Sequence, residues 1–194
     1  MALLVLSAAG AGAARGDAKL GEDGLYHQDW FLESFLELKD DIAEAKAAGK
    51  RLAVIWEQRG CGYCKDMHLV NFAVPPLAAY VRDNFAIIQL NLYGAREVTD
   101  FDGKKLSEKE LARRWGVHFT PTIMYFPDDP AAVAGKTGRD AEVARMPGYF
   151  KPPTFLAMFK YVRESDTAKE GFQEYLAREG ERIGAEIDVP RRKR

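Results

Sequence analysis

Metal-holding and cross-linking residues are scarce in this 194-residue sequence, which has two cysteines and three histidines. A structural zinc site ordinarily takes four such ligands. Cys61 and Cys64 leave only His27, His68 and His118 to complete one, and His68 alone is close in sequence. Neither sign of charge is in excess: 28 Lys and Arg against 29 Asp and Glu give a net charge of -1. That balance gives no general reason to expect nucleic acid, so the expected partners are proteins. The length allows one good core and a small extension, whereas two full domains would be cramped.

Met1 to Ala14 has no charged side chain but is too short to span a bilayer. Its apolar run and its Ala-x-Ala choices, Ala9-Gly10-Ala11 or Ala11-Gly12-Ala13, fit a cleaved export signal over residues 1–14. The Lys or Arg of a signal n-region is missing, which points to a truncated start. A compartment outside the cytoplasm is expected.

Both cysteines fall in Arg51 to Phe72, RLAVIWEQRGCGYCKDMHLVNF. Leu52 to Trp56 reads as a buried strand, Gln58-Arg59-Gly60 breaks it, and Cys61 opens a helix. Met67, Leu69, Val70 and Phe72 supply the apolar set for that helix to bury. A cysteine at a helix N-terminus meets unpaired N–H groups and the positive end of the helix dipole, both of which favour the thiolate. Cys64, one turn later, is placed to attack a mixed disulfide at Cys61 and close the 61–64 disulfide. A redox couple is the reading preferred over two inert buried cysteines or half a zinc site. His68 makes a C-x-x-C-x-x-x-H ligand set geometrically feasible, although a packed or surface histidine is the simpler reading.

Elsewhere, Trp30 to Ala48 is expected to form one amphipathic helix on Phe31, Phe35, Leu38, Ile42 and Ala45, ended by Gly49. Pro75-Pro76 starts a short helix through Val81, and Phe85 to Leu92 reads as a second buried strand. In the loop from Gly94 to Lys105, Asp100, Asp102 and Gly103 suggest a tight turn rather than a calcium site, and its length suggests partner contact. Ser107 and Glu110 signal a capping box for a helix through Trp115. Thr122 to Phe126 is strand-like, Asp128 to Asp140 is a connector, and Ala141 to Met146 is an edge strand. Pro152-Pro153 opens a helix with Phe155, Met158, Phe159 and Val162. Helical patterning resumes at Phe172, Leu176 and Ile183, before a basic end, Arg191-Arg192-Lys193-Arg194, read as a solvated tail.

With CGYC in that corner and Trp115-Gly116-Val117-His118-Phe119-Thr120-Pro121-Thr122 later, residues 29–164 resemble the thioredoxin superfamily. More narrowly, WEQRGCGYCKDMHLVNF, REVTDFDGKKLSEKELARRWGVHFTPT and ARMPGY resemble periplasmic thioredoxins of the SoxW type, associated with bacterial sulfur oxidation. Gly62-Tyr63 and Thr120 are also similar to the disulfide isomerase DsbC, whose N-terminal dimerisation domain has no counterpart here. The resemblance implies an α/β thioredoxin-like fold over residues 25–165, a central mixed sheet flanked by helices, with a helical extension and tail over 166–194. It implies a periplasmic thiol-disulfide oxidoreductase with no cofactor, working as a monomer and kept reduced by a membrane electron donor of the CcdA or DsbD kind. An isomerase or oxidase, and a redox-inactive metal- or partner-binding module, are the alternatives.

The resemblance also assigns residues. Cys61 and Cys64 carry the chemistry, and Gly62, Tyr63, Thr120 and Pro121 form the docking face, with Tyr63 a surface aromatic. Pro121, if cis, presents the Thr120 backbone beside Cys61 to a partner's extended chain. In thioredoxins a buried acid assisting proton transfer occupies the place of Ile55. Glu57 shares its side-chain parity and is the substitute, unless it is a surface glutamate at the strand end.

Overall fold

A computed structural model describes residues 18–187 of the chain. The export signal expected over residues 1–14 and the basic run at 191–194 lie outside the described residues. In chain order, β1 (Lys19–Leu20) and β2 (Tyr26–His27) pair as a short antiparallel ribbon. α1 (Leu38–Ala47) leads to β3 (Arg51–Glu57), and α2 (Gly62–Asp66) runs on into a π-helical turn (Met67–Asn71). α3 (Pro75–Asn84), β4 (Phe85–Asn91), β5 (Glu97–Thr99), β6 (Lys105–Ser107) and α4 (Glu108–Arg114) follow. β7 (Thr122–Tyr125), a 3-10 turn (Pro130–Val133), α5 (Gly138–Ala141), β8 (Ala144–Pro147), α6 (Pro152–Glu164) and α7 (Phe172–Glu186) complete the chain.

The main sheet has the order β4-β3-β7-β8, with β3 parallel to β4 and the other pairs antiparallel. This is the expected mixed sheet flanked by helices. β3 is covered on both faces, which is why it reads as a continuous apolar run rather than an alternating one. Leu52, Val54 and Trp56 enter the core with α1, Leu111 and Trp115, whereas Ala53 and Ile55 enter the opposite core with Phe85, Phe155 and Phe159. Glu57 continues the second set, so its side chain faces the layer that carries the π turn, α3 and α6. α7 joins this layer too: Tyr175, Ile183 and Ile187 are buried in the same core as α6.

Several expectations need correction. The helix expected from Trp30 begins only at Leu38. Leu36 has φ +62, which a right-handed helix cannot accommodate, and Ser34 Oγ holds its N–H at 2.6 Å. Leu36 is thereby turned into the core, while Phe35, expected to be buried, is 99% exposed. Leu69 and Val70 are exposed as well, because the buried face runs through Cys64, Met67, His68, Asn71 and Phe72. Those positions follow helical spacing, but two of them are polar, which hid the face from a count of apolar residues. The loop from Gly94 to Lys105 holds β5, a turn at Gly103 with φ +88 and the start of β6, so it is most of a hairpin. Ala141 closes α5, and the edge strand starts only at Ala144.

Candidate redox site

Beyond Glu57 the chain turns through Gly60, whose φ of +76 suits glycine best, and reaches Cys61 in extended conformation at the N-cap of α2. Cys61 and Cys64 are joined as a disulfide. The Cys64 N–H, in the first turn of α2, donates to Cys61 Sγ at 3.0 Å, so a free helix-start donor is aimed at the sulfur itself. The two sulfurs differ in access, Cys61 being half-buried and Cys64 buried. That asymmetry suits one sulfur for attack on a large partner and the other for an intramolecular step.

The expected docking loop lies against Cys61. The Thr120–Pro121 peptide is cis, and Cys61 Sγ is 3.6 Å from the Thr120 carbonyl oxygen. The Pro121 carbonyl accepts from Gly148 N at 2.8 Å, which ties this loop to the end of β8. Gly62 is exposed, with nothing among the described residues within 4 Å of where a Cβ would stand, and Tyr63 and Phe119 are exposed beside the pair.

Tyr63 does not stand alone, for it stacks on Tyr149 with centroids 5.8 Å apart and rings inclined by 10°. Tyr149 donates its hydroxyl to Asn71 Oδ1 at 3.0 Å, and Asn71 Nδ2 donates to the Phe150 carbonyl at 2.9 Å. Burial, with help from the Asp66 carboxylate, pushes the Tyr149 phenol up, keeping it a donor. Sequence reasoning missed Tyr149 and Asn71. The ARMPGY segment held Tyr149, and Asn71 falls two helical turns after Cys64 on the buried face.

Glu57 is fully buried rather than a surface glutamate. Its Oε1 accepts from His68 Nε2 at 2.9 Å and from Gln89 Nε2 at 2.8 Å. Gln28, just after β2, meets His68 Nδ1 at 3.2 Å, and Gln89 also donates to the Tyr26 carbonyl at 2.7 Å. His68 is therefore a packed histidine with both ring nitrogens engaged, and the sulfurs it was grouped with are bonded to each other. Among the described residues no group of three His, Cys, Asp or Glu is arranged to hold a metal ion.

A cavity of about 490 Å³ opens between the β1–β2 ribbon and this corner, lined among others by Tyr26, Glu57, Arg59, Cys61 and Cys64. Arg59 clasps the ribbon, its Nε and Nη2 donating to the Asp23 and Glu22 carbonyls at 3.2 and 3.1 Å. The site thus combines a half-buried sulfur beside the cis-proline loop with a buried sulfur and a buried carboxylate that line the same cavity. The arrangement can accept an extended chain on one side and handle a proton on the other.

Comparison with known proteins places residues 38–163 as a match to a family described as a thioredoxin-like domain. Among solved structures, a thioredoxin-fold protein from Helicobacter pylori is similar, with 22% identity and a TM-score of 0.53 over 71% of this chain and 84% of that one. A thioredoxin from Thermus thermophilus is similar over 70% of this chain and 91% of its own, with 23% identity and a TM-score of 0.51. At these identities the likeness shows the fold. No curated protein matches the chain.

Proposed function

Because the chain belongs to the thioredoxin-like domain family, which matches residues 38–163, we propose that it is a thiol-disulfide oxidoreductase acting on protein disulfides through Cys61 and Cys64. The observation that carries this reading is the linked pair itself, with the accessible sulfur at the start of a helix and the buried one a turn behind it. In the reducing direction the Cys61 thiolate, favoured by the Cys64 N–H and the helix start, attacks a substrate sulfur. A Cys61–substrate disulfide forms and one substrate thiolate leaves. Cys64 then gives its proton to the Glu57 carboxylate and attacks the Cys61 sulfur, closing the 61–64 disulfide and releasing the second thiolate. Two electrons pass from the cysteine pair to the substrate.

The Thr120 backbone beside Cys61 suits pairing with an extended substrate chain, with Pro121 anchored behind it. Gly62 leaves room for that chain, and Tyr63 offers an apolar surface to its side chains. Within this class the proposed role is a periplasmic reductase linked to sulfur oxidation and kept reduced by a membrane donor of the CcdA or DsbD kind. The support is the resemblance to SoxW-type thioredoxins and the uncharged N-terminal run, since an oxidising compartment otherwise holds such a pair as a disulfide. Fractionation tests the location: full-length protein in the cytoplasm with Met1 intact is evidence against export.

Trapping tests the chemistry. Cys64→Ser should accumulate mixed disulfides with partner proteins through Cys61, and Cys61→Ser should accumulate none. Equal trapping by both variants overturns the reading. The potential of the pair against glutathione separates reductase from oxidase, since the low end of roughly -270 to -120 mV belongs to reductases.

A further inference from the structure

The two oxygens of Glu57 have different surroundings. Oε1 accepts from both His68 and Gln89, whereas Oε2 has no hydrogen-bond partner among the described residues although Glu57 is fully buried and lines the cavity that holds Cys61 and Cys64. The neighbours decide where a proton can sit. With Gln28 Nε2 donating to His68 Nδ1, that nitrogen carries the lone pair, so His68 Nε2 carries the hydrogen and donates it to Oε1. Oε1 then has two donors facing it, and a proton arriving at Glu57 binds Oε2. Gln89 is oriented in turn by the Tyr26 carbonyl. Gln28 and Tyr26 both precede the residues that match the family, so a segment outside the common domain completes this arrangement.

We infer that His68 and Gln89 are positioning residues that hold Glu57 with Oε2 as the acceptor for the Cys64 proton, and that the segment carrying β2 and Gln28 completes this proton site. The inference rests on the reading of Glu57 as the base in the closing step. In that step the Cys64 S–H bond breaks, the proton goes to Oε2 and the electron pair stays on sulfur. That sulfur bonds to Cys61, and the substrate thiolate leaves with the pair of the broken disulfide. The titratable and charged groups around the site are Lys65 of α2, Arg59 of the preceding turn, Glu22 of the ribbon, and the Tyr26 hydroxyl. The apolar rings of Phe31 and Phe72 close over His68.

Stopped-flow mixing of the reduced full chain with a disulfide-bonded fluorescent peptide, repeated across pH, resolves formation of the mixed disulfide from release of the second thiol. Glu57→Gln should slow release and flatten its pH profile. His68→Leu should move the midpoint of release to higher pH by about one to two units, the shift expected on losing one hydrogen bond to a charged group. Its first phase should stay unchanged. His68→Gln, whose Nε2 can still donate, should restore the midpoint, and Gln28→Leu should move it in the same direction by less. Should His68→Leu not fold, Gln89→Met removes the other Oε1 donor and should move the midpoint likewise. Wild-type release in Glu57→Gln overturns the base and this inference with it. Slow release in Glu57→Gln beside a wild-type midpoint in His68→Leu, or in Gln89→Met where His68→Leu does not fold, overturns the positioning alone. Equal shifts in His68→Leu and His68→Gln do the same, and a wild-type profile in Gln28→Leu removes the N-terminal segment from the site.

Discussion

Replacing Asp100 by asparagine should destabilise the fold while leaving the dithiol chemistry of each folded molecule intact. Asp100 is fully buried and accepts four hydrogen bonds. Oδ1 takes Phe101 N at 2.8 Å and Gly138 N at 3.0 Å, and Oδ2 takes Arg114 Nη1 at 2.9 Å and Trp115 Nε1 at 3.0 Å. One carboxylate thus joins the β5–β6 turn, α4 and α5, and it orients Trp115, which packs edge-on against Trp56 of β3. Asparagine can keep the Oδ1 contacts, but its NH2 group then faces two donors. Arg114 is partly exposed and keeps Asp102, so the unpaired groups are Trp115 Nε1 and the new amide. Each buried unpaired group costs about 1–3 kcal/mol. Burial also pushes the Asp100 carboxyl above its ordinary range, with burial opposed by the Trp115 and backbone donors, so removing the charge recovers part of that loss. The net expectation is a destabilisation of about 2–4 kcal/mol, or roughly 5–15 °C in Tm for a chain of this size. Urea unfolding followed by tryptophan fluorescence measures it. A midpoint equal to wild type, with the same slope, refutes the assignment of Asp100 as the pin of this region.

Asp41, in the first turn of α1, gives a pH test: burial, then the nearby acids Glu44, Asp40 and Glu37, push its carboxyl up to about 6 against the Ser34 hydroxyl that holds it. Its unfolded value is about 3.9. A raised folded value means that the folded chain binds this proton more tightly, so the stability Asp41 contributes is present below about pH 4 and lost as pH rises to about 6, by up to about 3 kcal/mol. The charge at the helix start returns about 0.3–1 kcal/mol. Asp41→Asn should therefore exceed wild type by about 1–2 kcal/mol at pH 7 and match it near pH 4, and an equal difference at both pH values counts against this account. Tyr149→Leu removes the stack under Tyr63, worth about 0.5–1.5 kcal/mol beyond its area, and should raise KM for a protein substrate by about two- to tenfold. Alkylation of Cys61 by a small reagent should be unaffected, and an unaltered KM would remove the aromatic pair from the proposed docking face. Phe159→Ala, in a fully buried position against Phe85, Tyr125 and Phe155, should cost about 3–5 kcal/mol in chemical denaturation. A loss under 1 kcal/mol would show that this core collapses to fill the space.

Much of the fold is written locally. β3, β4, α3, α4 and α6 are announced by apolar runs, paired prolines or a capping box, because these signals act within a few residues of the backbone they shape. Cys61 and Cys64 are legible for the same reason, since their partnership spans one helical turn. Strand parity placed Glu57 on the side of Ile55, but parity says only which face a side chain takes, not what covers that face. Its burial depends on His68, 11 residues on, on Gln89, 32 residues on, and on Gln28 reaching His68 across 40 residues. Likewise Asp100 reads as a turn residue until Gly138, 38 residues later, arrives at its carboxylate. Leu36 shows the limit from the other side: helical spacing continues through Phe31 and Phe35, yet a bridge from Glu37 to Thr99 and the left-handed turn at Leu36 hold this stretch out of the helix. Periodicity specifies the elements because it is a property of neighbours. The hydrogen-bond partners of Glu57 and Asp100 were decided by the tertiary structure, because a buried charge persists only where distant segments bring it donors.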